Sequence, residues 1–202
     1  VLDFSVNNNT FTAGLVSGTG TGTRTLKMGT GTWTMTGESG PWNFTTITNL
    51  TFTHGGTLEF KLGARTQEFS IQPGNITTYN TVSLADTAAT GYAASFNSGS
   101  PTMVNFSISS NNKEVRLTGT FTVSGALTYD GTQAAPGIIH GGSLVATLSV
   151  ANATTLNWLS IMRITKAGAG SIGCTNCFNL GANTNVTITA PSFGGGGRII
   201  GG

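Results

Sequence analysis

Between residues 21 and 44 the chain reads TGTRTLKMGTGTWTMTGESGPWNF, with apolar side chains two apart: Leu26 and Met28, Trp33 and Met35, Trp42 and Phe44. Successive side chains of an extended strand point to opposite faces, so a period of two marks strands with one buried face. An amphipathic helix needs a period of 3.6, and no stretch of this chain supplies one. The alternation recurs in Leu50/Phe52, Leu58/Phe60/Leu62, Phe69/Ile71 and Val82/Leu84. It returns in Val104/Phe106/Ile108, Val115/Leu117, Phe121/Val123, Leu127/Tyr129, Leu144/Ala146/Leu148, Leu159/Ile161 and Val186/Ile188. Threonine, whose branched β-carbon suits a pleated surface, fills many of the outward positions. The fold class is all-β.

Spacing narrows the architecture. The first apolar pairs start at 26, 33, 42, 50, 58 and 69, which leaves room for a short strand and a tight corner each time. Every third pair lies 24 to 27 residues on, from 26 to 50, 33 to 58 and 42 to 69. Three short strands per coil, each stacked on the coil before, predict a parallel β-helix or β-solenoid. Turn-forming stretches fall at the expected corners: TGESGP, THGG, LGART and QPGN. An antiparallel β-sandwich or jelly roll is the alternative, because its strands recur at a similar spacing. The two-residue hairpin signal Asn-Gly is missing, and YDGT at 129–132 is one candidate hairpin.

The reading places a β-rich structural domain at 1–190 and a glycine-rich tail or linker, SFGGGGRIIGG, at its end (191–202 with the preceding corner). Segments 85–102 and 130–143 lack alternation and read as loop excursions. The chain starts at Val1 with no leader-like segment, so it reads as processed, truncated or excised.

Composition decides which functions to discard. Charged residues make up 8% of the chain, far below the usual quarter. Thirty glycines and still more threonines take their place. The nine basic residues are scattered, so no phosphate-tracking surface forms and nucleic acid is not an expected partner. No apolar run reaches the length of a membrane helix, and membrane insertion is not expected. Sparse charge with abundant hydroxyls and amides points to an extracellular or virion-surface location.

Four stretches carry a family resemblance. These are LDFSVNNNTFTAGLVSGTGTGTRTLKMGTGTWTMTG (2–37), PWNFTTITNLTFTHGGTLEF (41–60), FSIQPGNITTYNTVSLAD (69–86), and TTLNWLSIMRITKAGAGS (154–171) continued by CFNLGANTNVTI. Together they resemble glycine- and threonine-rich β-solenoid proteins of tailed bacteriophages, most weakly over 86–150. The resemblance implies a virion structural protein, a tail or head fibre or spike that contacts other virion proteins and a host-surface glycan, and it implies a homotrimer. Here CTNC and a glycine tail stand where such proteins often carry a tryptophan-rich end. The alternatives are a β-helical polysaccharide depolymerase and a bacterial surface adhesin.

Few groups suggest chemistry, and no catalytic residue, cofactor or metal is expected. CTNC, Cys174 to Cys177, is half of a zinc site, and His54 and His140 are far away in sequence. A redox motif needs a strand-to-helix setting that is missing. The pair reads as a local disulfide or as two reduced thiols beside a buried strand. A depolymerase needs paired carboxylates, and among Asp3, Glu38, Glu59, Glu68, Asp86, Glu114 and Asp130 the best pair is Glu59 with Glu68 on consecutive strands. These more simply pair with Lys61 and Arg65 in solvent. Trp33 and Trp42 are in phase with the core. Tyr92, Phe96 and His140, in the two excursions, are the expected surface or ligand contacts, and Phe193 an expected subunit contact. Runs such as TGTRT and TWTMT raise ice binding, but the pattern fades after residue 53.

Overall fold

The computed structural model describes residues 1–6, 8–37, 40–61, 69–85, 94–97, 99–108, 114–129 and 131–192. Among them the paired strands run parallel, and no helix is present. The chain is a β-solenoid, as the spacing of apolar pairs predicts.

The first coil holds β1 (Leu2–Asp3), β2 (Phe11–Ala13) and β3 (Val16–Ser17). The second holds β4 (Arg24–Lys27), β5 (Thr32–Met35) and β6 (Trp42–Asn43), and the third β7 (Leu50–Thr53), β8 (Thr57–Phe60) and β9 (Phe69–Gln72). Two long strands follow, β10 (Tyr79–Leu84) and β12 (Thr102–Ile108), each succeeded by a short one, β11 (Ala94–Phe96) and β13 (Glu114–Leu117). Then come β14 (Thr120–Val123), β15 (Leu127–Tyr129) and β16 (Gly137–His140), and β17 (Ala146–Val150), β18 (Thr154–Asn157) and β19 (Leu159–Met162). The closing elements are β20 (Ile164–Ala167), β21 (Ile172–Thr175), β22 (Phe178–Asn179) and β23 (Val186–Thr189).

Three faces result. One runs unbroken from β3 through β6, β9, β11, β13, β16 and β19 to β22. The other two meet at a corner that β10 and β12 cross without a break. Met103 of β12 pairs with Val123 of β14, whereas Phe106 pairs with Leu127 of β15. One strand thus feeds two faces. Its inward residues are Met103 and Phe106, three apart rather than two, and β10 shows the same step from Tyr79 to Val82. That step is the corner written in the sequence.

Inward residues stack into one core. Trp33 sits between Phe4, at 5.0 Å and edge-on, and Phe11, at 4.5 Å. Phe96 meets Phe106 and Phe121, each at 5.5 Å. Burying each such side chain contributes roughly 1.5–3 kcal/mol, which lets a chain with so little charge fold.

Paired residues on stacked coils lie 22 to 29 positions apart from β1 to β9, but 18 apart between β17 and β20, β18 and β21, and β19 and β22. The closing coils are shorter because their corners shrink. Trp158 alone turns β18 into β19 with φ 52, and Arg163 alone turns β19 into β20 with φ 55. A left-handed residue at a one-residue corner swings the chain onto the next face, a conformation that L side chains rarely adopt.

The structure corrects several expectations. Leu26 stacks on Phe52 and Trp42 on Ile71, two residues beyond the predicted partners, while Trp33 on Leu58 is as predicted. The parity is kept, so the faces are unchanged. Val104 and Leu144 are exposed, because Met103 and Ala146 take the inward positions after the corners. The two excursions are not wholly loops: β11 and the start of β12 lie within 85–102, and β16 within 130–143. Their inward runs are too short to show alternation. After Tyr129 the chain continues to a parallel strand on another face, so 129–132 is not a hairpin.

Candidate functional site

Among the described residues the chemistry-bearing side chains fall into separate groups. Of the acids, Asp3, Glu59 and Glu114 lie among the described residues. Asp3 meets Lys27 at 2.9 Å and accepts from the hydroxyl of Ser5 at 2.6 Å. These bonds, Ser5 first, hold its carboxyl down at about 2. Glu59 accepts from Thr34 at 3.1 Å and meets Lys61 at 3.3 Å. Glu68 lies outside the described residues, as do Glu38, Asp86, Asp130, Tyr92 and Phe193. Among the described residues no group of three or more His, Cys, Asp or Glu side chains could hold a metal ion.

Glu114 pairs with His140, Oε1 to Nε2, at 2.7 Å. The amide of Gly142 donates to Nδ1 at 3.0 Å, which leaves the ring proton on Nε2, directed at the carboxylate. His140 is 8% exposed and locks the turn after β16. This corrects its expected role as an open surface contact, because both ring nitrogens are engaged, one by Glu114 of the coil below and one by Gly142. Phe96 is corrected too. It is 1% exposed and packs inside the core, because it lies at an inward position of β11 rather than in a loop.

Cys174 and Cys177 form a disulfide across Cα atoms 5.7 Å apart, and both are buried. Of the two readings open to the sequence, the structure takes the bridged one. Cys174 is an inward residue of β21, and Cys177 follows the left-handed Asn176, so the bridge pins the turn that closes the last coils. Trp33 and Trp42 are fully buried, as their phase predicts.

One group was invisible to sequence reasoning. His54 ends the third coil's first face in the THGG corner, between the rings of Phe52 and Tyr79. The amide of Asn80, one coil on, donates to its Nδ1 at 3.2 Å, so the ring proton lies on Nε2. That nitrogen is fully buried and has no partner among the described residues. Burial pushes the imidazole down to about 4, so the ring is neutral over the physiological range. His54 lines a surface groove of about 240 Å³ with Thr77, Thr78, Asn80, Thr102, Val104 and Ser124. A sequence reveals a histidine beside glycines but not that one of its nitrogens is left without a partner.

A second groove, about 290 Å³, lies at the first coil and is lined by Val1, Leu2, Leu26, Phe44 and Leu50. Val1 is 97% exposed, and Leu2 and Leu15 are also open to solvent. Beside it the Arg24 guanidinium donates to the carbonyls of Thr46, at 3.1 Å, Thr48, at 2.8 Å, and Gly18. Among the described residues no coil stacks on this end of the core.

No helix of the described residues is long and apolar enough to cross a membrane. Comparison of the chain with family models, curated proteins and solved structures returns no match.

Proposed function

We propose that this chain is a structural rod of the fibre or spike type on the surface of a tailed-bacteriophage virion. It acts as a homotrimer, and its work is mechanical and adhesive. The observation that supports this reading most is the long parallel stack, with one face unbroken from β3 to β22. One core runs through its coils. Such a body holds a contact surface at a distance, because bending it requires breaking ladders and core together. The flanks present hydroxyls in register, among them Thr32, Thr57 and Thr81, rather than charge. The exposed apolar end at Val1, Leu2 and Leu15 is where a neighbouring subunit or virion protein docks in this reading. The disulfide fits a working life in an oxidising medium outside the cell.

Antibodies raised against the chain test the assignment directly on virions whose genome encodes it. Labelling confined to fibres or spikes supports the reading. Virions that carry no label while the infected cell does would overturn it. The depolymerase alternative predicts release of reducing sugar ends from host-surface polysaccharide incubated with the purified chain.

A further inference from the structure

We infer that the outward side of β14, β17 and β20 is an ice-binding face, a two-row array of hydroxyls that takes up the ordered water of an ice surface. This activity is separate from the virion assignment and does not depend on it.

Register builds the array. Thr120 of β14 lies beside Thr147 of β17, Thr147 beside Thr165 of β20, and Thr165 beside Thr184 of the next turn. Two residues along the strands, a second row runs through Thr102 of β12, Thr122, Ser149 and Ala167. In β14 and β17 these residues alternate with buried ones, so they point away from the core. Neighbours within a row are about 4.7–4.9 Å apart, and the rows are about 6.6 Å apart. Those repeats are close to the ones that water oxygens adopt on the prism face of ice.

The hydroxyls of both rows are free to meet water. No hydrogen bond within the described residues engages them. The one buried side-chain polar atom without a partner among those residues is His54 Nε2, so the row hydroxyls are open to solvent. Elsewhere the chain engages threonine hydroxyls itself. Thr34 donates to Glu59 at 3.1 Å, Thr78 to the carbonyl of Phe52 at 3.2 Å, and Thr154 to that of Leu127 at 2.7 Å.

Threonine suits the task for two reasons. Its hydroxyl both donates and accepts, and its branched β-carbon fixes χ1, so the water sites are set before ice arrives. Charge would hold a hydration shell of its own, and no outward position of β14, β17 or β20 carries one. Lys166, next to Thr165, folds its ammonium back onto the carbonyl of Gly168 at 2.7 Å.

The runs that raise ice binding in the sequence lie elsewhere. Thr34 of TWTMT is 7% exposed, and Thr25 of TGTRT stands between Arg24 and Lys27 across one strand. The array is instead spread over TFTV, ATLSV and ITKA. Its first row steps by 27 residues from Thr120 to Thr147, by 18 to Thr165 and by 19 to Thr184, so no constant period announces it.

Ice partitioning tests the inference. Ice is grown slowly from a dilute solution of the full chain, and the share of the chain taken into the solid is measured against a non-binding protein of similar size. The chain is expected to be enriched in the ice. Thr147→Lys puts a charge, and Thr122→Tyr a bulky ring, in the middle of the array, and each should reduce uptake to that of the non-binding protein. Thr155→Lys, at an exposed position of β18 on another face, should be taken up like the unaltered chain. Cooperative melting identifies the variants that are folded, and Thr184→Lys, at the exposed end of the row, replaces either array variant that is not. Exclusion of the unaltered chain from ice overturns the inference. So does full uptake of the folded array variants, or an equal loss in folded Thr155→Lys.

Discussion

The indole nitrogen of Trp42 donates to the phenol oxygen of Tyr79 at 2.8 Å, across the inside of the rod, and the Tyr79 hydroxyl donates in turn to the carbonyl of Pro73 at 3.0 Å. The two residues are 37 positions apart and approach from different faces, so the bond reaches past the third coil and ties β6 to β10 through the core. Tyr79 is wholly buried, and burial drives its phenol far above the usual range, so it remains a donor at any accessible pH. Tyr79→Phe removes both bonds and leaves the Trp42 N–H unmatched. The variant is expected to lose about 1–3 kcal/mol in chemical denaturation, with the fluorescence of Trp42 altered in the folded state.

His54 gives the stability a defined pH dependence. Its pKa is about 4 in the folded chain, against 6.5 for an imidazole in open solvent, the value it regains on unfolding. Between those values the unfolded chain binds the proton and the folded chain does not, so folding is favoured fully above pH 6.5 and progressively less as pH falls towards 4. The loss over that window is on the order of 3 kcal/mol. Melting curves across it should show the decline, and His54→Asn should flatten it.

How much of this is legible in the sequence depends on which physical signal each feature leaves. A strand with one buried face writes its period into the chain, and three strands per coil write a second period, so Trp33 over Leu58 is readable. The register of Leu26 over Phe52 is not, because a corner can absorb two residues without changing which face a side chain takes. The long strands β10 and β12 hide their corner as a three-residue step, and this makes Val104 look inward. Phe96 and His140 read as loop residues because β11 and β16 are too short to reveal a period. The environment of His54 depends on which hydrogen bonds remain unmade. No pattern of residue types encodes that.

The left-handed residues of the closing coils make an unusual glycine substitution favourable. Ala182 is exposed and holds φ 55, where an alanine β-carbon is strained by about 1–2 kcal/mol. Glycine removes that strain and adds backbone entropy to the unfolded chain, worth roughly 0.5–1 kcal/mol in the other direction. Ala182→Gly is therefore expected to be neutral or stabilising by a few tenths of a kcal/mol in denaturant titration, whereas an Ala→Gly change in an ordinary strand destabilises.

Gly37 shows the opposite constraint. A β-carbon there would overlap the carbonyl oxygen of Gly14 on the coil below, and backbone cannot move aside as a side chain can. Gly37→Ala should separate the first two coils and lower the unfolding midpoint more than a typical surface substitution, which stays within about 0.5 kcal/mol. Exchange of the β2–β5 amides measured by hydrogen–deuterium exchange locates the effect.

The disulfide closes a very short loop, so it restricts the unfolded chain less than the ~3 kcal/mol expected of a fifteen-residue loop. Replacing both Cys174 and Cys177 with Ala should therefore weaken the closing coils without unfolding the rod. Melting of the double variant checks this, and collapse of the whole fold would contradict it.

The most direct test of the structural-rod account is the solution mass, taken by light scattering after size exclusion and repeated on dilution. The account predicts a particle three times the chain mass of 20.6 kDa that persists as the concentration falls. A particle of 20.6 kDa at every concentration would contradict the trimeric fibre and leave the chain a monomeric solenoid.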